Sequence, residues 1–278
     1  ITNCQPYSLA IDLVKFSKSI LYALGFGSNF YFHFSGLEYG SPEGLLKPFL
    51  HTWSLSVEEQ YYVFFPIVFF LIFKYFRKYL FYFLIIGLII SLLLAEWGSR
   101  NYPSSTFYFL HTRIWELICG SLLAYYEVKL GRRGENSSWA RLFPLFGLTL
   151  IFYAVFLFDD KIFHPSFYTL IPIVGVTLIL WFGNKADLIT KILSTKLFVG
   201  IGLISYSLYL WHYTIFSFAK NIEIFFDNIF GKFFLIIIAI ILSIITYFFI
   251  EQPARKIKSF KIVFSSLFAT LLIVVLSN

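Results

Sequence analysis

Apolar runs of close to 20 residues recur along most of this sequence, and they restrict the possible folds more than any other feature. At about 1.5 Å per helical residue, most of these runs can cross a hydrocarbon layer about 30 Å thick. Only 13% of the 278 residues are charged, whereas a soluble domain carries about 25%. The sequence therefore predicts an all-α, polytopic membrane bundle of about eight transmembrane helices. The predicted spans are 57–76, 80–95, 106–126, 140–158, 167–182, 197–218, 232–250 and 261–277.

The basic residues are unevenly distributed between alternate loops. About two thirds of the 22 Lys and Arg residues lie in the loops around Arg77, Arg132, Lys191 and Lys256. An excess of Lys and Arg marks cytoplasmic loops, so the region before Val57 and the C-terminal Asn278 are expected outside the cytoplasm. The net charge of +7 is explained in this way without a nucleic-acid partner.

The first 56 residues differ from the rest of the chain. Asp12, Lys15 and Lys18 share roughly one face of a helix near the N-terminus, which favours an amphipathic helix at the membrane surface over a further span. The chain begins at Ile1, contains no Met and shows no signal-peptide pattern. We therefore expect it to be a piece of a longer protein.

One polar string lies at the outer mouth of the first span. It contains His51, Trp53, Glu58 and Glu59 within the sequence KPFLHTWSLSVEEQYY. A structural explanation is available for Glu59, since Ser56 and Glu59 match a helix-capping box that would begin the helix there. A solvent-facing His beside an interfacial Trp would explain the first two. Alternatively, all four residues belong to a functional site.

Two further strings place polar residues inside predicted spans. Arg113 and Glu116 are three residues apart, and charges at this depth usually pair and often line a cavity, although a purely structural ion pair is the alternative. Ser205, Tyr209 and His212 follow helical spacing and form one polar stripe, which either joins helices or performs catalysis. A fourth string, near the end of span 232–250, contains Glu251, which is either functional or a local charge partner of the basic residues after Pro253.

Taken in order, these strings resemble the acyltransferase-3 family of bacterial membrane O-acyltransferases. The resemblance runs from about Phe26 to Lys256 through SNFY, LHTWSLSVEEQ, RIWEL, ISYSLYLWH and EQP. It implies transfer of an acyl group, acetyl above all, from cytoplasmic acyl-CoA to a hydroxyl of an extracytoplasmic cell-surface glycan such as lipopolysaccharide or peptidoglycan. It also implies location in the bacterial inner membrane, with no bound cofactor, no metal and no nucleic-acid partner.

The resemblance also divides the chain. Residues 1–56 form an extracytoplasmic segment, 57–260 a partial acyltransferase membrane domain, and 261–278 resemble an additional C-terminal transmembrane helix. The family's first three spans, with their proposed catalytic His and Arg motifs, are absent from this sequence, as is the esterase-like SGNH domain of one subgroup. We therefore expect the principal base, and full activity, to need those missing parts.

Acyl transfer requires a base for the attacking hydroxyl and a group that stabilises the oxyanion. Glu58 and His212 are of the right chemical type for catalysis. The expected substrate-binding residues are His51, Trp53, Glu59, Arg113, Glu116, Tyr209 and Glu251. A transporter or flippase of lipid-linked sugars would also explain intramembrane charge and an aromatic mouth. A weaker alternative is the other large family of membrane-bound O-acyltransferases, suggested only by the pair Trp211 and His212.

Overall fold

The structure is a computed structural model that describes residues 5–36, 41, 43–134, 139–159, 162–184, 187–223 and 228–257. Most of these residues are helical, and no strand occurs among them. The α-helices are α1 (Gln5–Leu24), α2 (Ser28–Phe34), α3 (Thr52–Phe76), α4 (Leu80–Asn101), α5 (Pro103–Tyr108), α6 (Ile114–Leu130), α7 (Phe143–Leu157), α8 (Leu170–Phe182), α9 (Leu188–Leu193), α10 (Lys196–Asn221), α11 (Ile229–Thr246) and α12 (Gln252–Lys256).

Three helical stretches of the described residues are long and apolar enough to cross a membrane: Thr52–Asn101, Ala140–Leu157 and Ile229–Lys256, with Phe167–Phe182 as a shorter apolar helix. Their outer surfaces are also apolar, since Phe70, Phe156 and Phe249 are 61%, 76% and 77% exposed. Such extensive apolar exposure is typical of a lipid-facing surface. The prediction of an all-α membrane protein is confirmed, whereas the predicted span 261–277 lies outside the described residues.

The chain forms two compact units, Ile1–Val57 with Gly200–Asn278, and Glu58–Val199. In the first unit, side chains of α10 form hydrogen bonds with residues 44–48, which precede α3; this part of the chain is called the fastened segment below. The hydroxyl of Tyr213 donates to the carbonyl of Gly44 (3.1 Å), and that of Thr214 donates to the carbonyl of Pro48 (3.2 Å). The carbonyl of Gly44 also accepts from the backbone N–H of Lys47 at 3.0 Å, and the two side-chain bonds hold the residues before α3 against α10.

Helices α10 and α11 of the first unit are also joined by polar side chains. The indole N–H of Trp211 donates to the hydroxyl of Thr246 at 2.9 Å, and Ser207 donates to Glu251 at 2.8 Å. α11 continues as a π-helical turn over Tyr247–Glu251, a geometry that is rare and frequent at functional sites. The sequence pattern predicted a helix here but contained no sign of this turn.

The second unit contains a close helix pair. In α7 and α8, Gly147 and Gly175 face each other so closely that a Cβ atom on Gly147 would lie 2.5 Å from the carbonyl oxygen of Gly175. Small residues allow helix backbones to approach in this way within membranes. Elsewhere in this unit, Tyr61, Leu84 and Ile118 form a buried core between α3, α4 and α6.

The predicted continuous span 106–126 is wrong. The chain ends α5 at Tyr108, passes through an extended Phe109 and a 3-10 turn, and begins α6 only at Ile114. The carbonyls freed by this break receive other donors. Thr112 donates to the carbonyl of Thr106 at 2.6 Å, and Ser91 donates to that of His111 at 2.7 Å. These bonds allow irregular backbone within an otherwise helical region.

The predicted capping box at Ser56 and Glu59 is also wrong, because α3 begins four residues earlier, at Thr52. Ser56 is buried inside the helix, where its oxygen accepts from the backbone N–H of Ser28 at 3.2 Å. Thr52 donates to the hydroxyl of Ser28 at 2.8 Å. The oxygen of Ser56, which the local pattern assigned to helix capping, therefore binds α2 instead.

Candidate functional site

His51 lies at the junction between the fastened segment and α3. Its side chain is only 3% exposed, so the interpretation of a solvent-facing His is wrong. The ring stacks on Tyr213 with a centroid distance of 4.9 Å, and it meets Tyr209 edge-on at 5.0 Å. The ring of His212 is 5.7 Å away. The structure thus brings together two histidines that are distant in sequence, as well as the predicted residue Tyr209.

The imidazole of His51 is buried and neutral. Burial, and to a smaller extent the neighbouring His212, lowers the pKa of His51 to about 3. The backbone of Tyr209 and Leu210 opposes this shift in part, although neither group reaches hydrogen-bond geometry with the ring. Both ring nitrogens are shielded from solvent and have no hydrogen-bond partner among the described residues. A buried polar group of this kind is rare and needs an explanation, such as a functional role.

His212 has a defined tautomer. Its Nδ1 lies 3.0 Å from the carbonyl oxygen of Leu208, and since a carbonyl only accepts, Nδ1 must carry the proton. In the neutral ring, Nε2 then has the free lone pair. His212 therefore presents the group that a general base requires, next to the neutral ring of His51.

Tyr209 connects the two histidines to the start of α3. Its hydroxyl donates to the backbone carbonyl of His51 and lies 2.9 Å from the hydroxyl of Ser54. Trp53, also predicted to bind substrate, is 7% exposed and therefore buried. Tyr209 thus fixes the backbone that positions His51, a role that the helical stripe alone did not indicate.

Glu251 forms a second polar group in the same unit. Its carboxylate accepts from Ser207 at 2.8 Å and from Arg255 at 2.6 Å. The side chain of Glu251 is 9% exposed, whereas that of Arg255 is 71% exposed. Glu251 is therefore a charge partner of Arg255, as one alternative proposed, and it also joins the π-helical turn to α10. Ser207 was missed by the sequence reasoning, although it belongs to the same string as His212.

Arg113 and Glu116 belong to the second unit. Their side chains are 18% and 23% exposed and form an ion pair at 3.6 Å, so both charges point mainly into the protein. Arg113 also donates from Nε to the carbonyl of Phe107 at 2.9 Å and lies over the ring of that residue. This carbonyl was freed by the break before α6. Arg113 therefore stabilises the irregular backbone before α6 through its bond to Phe107, and it also pairs with Glu116.

Glu58 and Glu59 lie in the second turn of α3, where the second unit begins. Glu58 is exposed and Glu59 is half-buried. The structure places neither residue among the contacts of the histidine pair described above. Their assignment to catalysis and substrate binding remains a prediction.

The structure thus combines an all-α membrane fold with a site in which the buried His51 lies beside the half-buried His212, and both rings contact Tyr209 and Tyr213. The sequence profile of a family described as an acyltransferase domain matches residues 16–248. The chain therefore belongs to the acyltransferase-3 family, as its polar strings indicated.

Relatives of this chain carry related names. The peptidoglycan O-acetyltransferase OatA of Listeria monocytogenes is 30% identical over 241 residues, which cover 82% of this chain and 39% of that protein. The O-acetyltransferase OatA of Staphylococcus aureus is 28% identical over 260 residues, which cover 90% of this chain and 43% of the relative. The chain thus spans about two fifths of the length of these relatives. No solved structure is significantly similar to it.

Proposed function

We propose that the protein takes part in transferring an acyl group, acetyl above all, from acyl-CoA to a hydroxyl of a cell-surface glycan. Family membership and the names of the two relatives support acyl transfer and a glycan acceptor. The observation that carries the proposal is the pair formed by His51 and His212, in which Nε2 of His212 has a free lone pair.

The chemistry follows from that lone pair. The glycan hydroxyl attacks the thioester carbonyl while Nε2 of His212 takes its proton, so that a carbon–oxygen bond forms. The carbon–sulfur bond then breaks, and the proton passes to the departing thiolate, which leaves a glycan ester and a free thiol. General bases of this kind contribute about 10²- to 10⁴-fold to a rate.

His51 supports this step through its neutrality. When His212 takes the proton it becomes a cation, and a second cation at this distance would oppose the transfer. Burial keeps His51 uncharged, so the proton on His212 meets no such repulsion. Because both ring nitrogens of His51 are shielded from solvent, we assign His51 to positioning next to His212, and His212 to catalysis; the binding of substrate by His51 stays a prediction.

The proposed location is the bacterial plasma membrane, crossed several times. Alternating loop charge supports a cytoplasmic position for Lys191 and Arg255 and an outer position for Asn101 and Asn221. Anionic acyl-CoA would then approach the basic end around Arg255. In cells, an impermeant thiol reagent is expected to label a cysteine introduced at Asn101 or Asn221 but not one at Lys191. Labelling at Lys191 would contradict the topology.

The substitution His212→Gln tests the proposed base. Glutamine has a similar size and keeps a neutral amide donor, but it cannot take a proton. The full-length protein with this substitution, expressed in membranes with labelled acetyl-CoA and a glycan acceptor, is expected to lose about 10²- to 10⁴-fold in acyl transfer. The matched control is His33→Gln on α2, outside the histidine pair, and it is expected to keep its activity. Equal activity in both variants would refute the role of His212.

A further inference from the structure

A groove runs along α10 and α11 next to the histidine pair. The stripe of Ser205, Tyr209 and His212 forms its α10 side, and residues that include Ile236 and Ala239 form its α11 side. Its volume is about 450 Å³. The stripe therefore borders a cavity, and the groove and the proposed base share His212.

The groove is almost wholly apolar despite this stripe. The hydroxyl of Ser205 donates to the carbonyl of Gly202 in its own helix at 2.8 Å. The hydroxyl of Tyr209 is engaged by the carbonyl of His51 and by Ser54. No charged side chain occurs in the described lining of the groove. A ligand that fills it should therefore be a hydrocarbon with one reactive polar group near His212.

The size of the groove limits the choice further. Small-molecule sites typically measure about 300–1,000 Å³, are lined by apolar side chains and contain a few placed polar groups. The groove falls within this range, and the two carbon atoms of an acetyl group would fill only a small part of it. A longer chain that begins at His212 would contact more of the apolar lining of the groove.

We propose that this groove binds the hydrocarbon chain of the acyl donor, with the thioester carbonyl at His212, so that the protein accepts acyl groups longer than acetyl. This inference rests on the proposed function and names its donor class. The bonds made and broken are those of the acyl transfer described above, and only the length of the transferred chain changes. Each methylene that becomes fully buried is expected to improve binding about fourfold.

The test compares acetyl, butyryl and hexanoyl thioesters as donors for the protein in membranes. The preference for hexanoyl over acetyl is measured as a ratio of kcat/KM values. Ala239→Phe fills the groove and is expected to reduce this ratio at least tenfold. Ile240→Ala removes part of the apolar lining on the same α11 side and is expected to reduce this ratio severalfold, without the risk of overpacking. The matched control is Ile237→Phe. The side chain of Ile237 on α11 is 53% exposed and is not among the described lining residues of the groove, so this substitution should leave the ratio unchanged.

A second readout separates this inference from the proposed function. A hexanoyl thioester with a photoreactive diazirine at the chain end is expected to label α10 or α11 at the groove, for example at Phe216, and Ala239→Phe should abolish the labelling. Because labelling needs no base, it should persist in His212→Gln. Acetyl-only transfer, or equal ratios in all variants with no labelling at the groove, would overturn the donor-chain site and leave the proposed function standing.

Discussion

The neutrality of His51 predicts a specific dependence of stability on pH. An unperturbed histidine has a pKa of about 6.5, whereas burial lowers the pKa of His51 to about 3 in the folded protein. The unfolded chain therefore binds a proton more readily, and folding stability falls as the pH drops below about 6.5 and continues to fall until about 3. Between pH 8 and pH 5, this one group should cost about 2 kcal/mol of unfolding free energy.

The variant His51→Gln isolates this contribution. Unfolding is measured in mild detergent by denaturant titration at pH 8 and pH 5, followed by tryptophan fluorescence. All other titratable groups are common to the two proteins, so the difference between their pH dependences reports His51. We expect the wild-type protein to lose about 2 kcal/mol more than the variant between the two pH values. The same loss in both proteins would show that His51 is not held neutral, and would remove its proposed supporting role.

Two further perturbations test the packing around this site and in the second unit. Gly147→Ala should push α7 away from Gly175 and destabilise the protein by about 1–3 kcal/mol in the same unfolding assay. Its control is Gly120→Ala, where a Cβ atom meets nothing within 4 Å, and this variant should be neutral or slightly stabilising. Ser207→Ala removes a donor from the carboxylate of Glu251 and should cost about 1–3 kcal/mol, while Ser207→Thr keeps the hydroxyl and should cost less; equal losses would argue against this hydrogen bond.

Much of the helical fold could be predicted from the sequence because span-length apolar runs have few alternatives. Where the prediction failed, side-chain bonds between distant residues decided the outcome. Ser56 and Glu59 match a capping box, yet Ser28 uses the oxygen of Ser56 and α3 begins at Thr52. The break before α6 is similar, since Ser91, on α4, supplies one of the donors that make it possible. Local spacing contains no information about such partners.

The candidate site was predictable in composition but not in arrangement. The strings around His51 and His212 stood out because His and Trp are unusual in an apolar sequence. Their meeting depends on how the segment before α3 is fastened to α10, through bonds such as that from Tyr213 to Gly44. The free lone pair on His212 depends on a single hydrogen bond to Leu208, which no residue pattern reveals.

Sided reconstitution tests the proposed acyl transfer most directly. The full-length protein would be purified and inserted into liposomes, with labelled acetyl-CoA on the side of Lys191 and a glycan oligosaccharide on the side of Asn221. Mass spectrometry of the oligosaccharide then detects ester formation. The proposal predicts acylated glycan from the wild-type protein and about 10²- to 10⁴-fold less from His212→Gln. Acylation by His212→Gln at the wild-type rate would contradict the assignment of the base, and intact glycan transported across the membrane without ester would contradict acyl transfer itself.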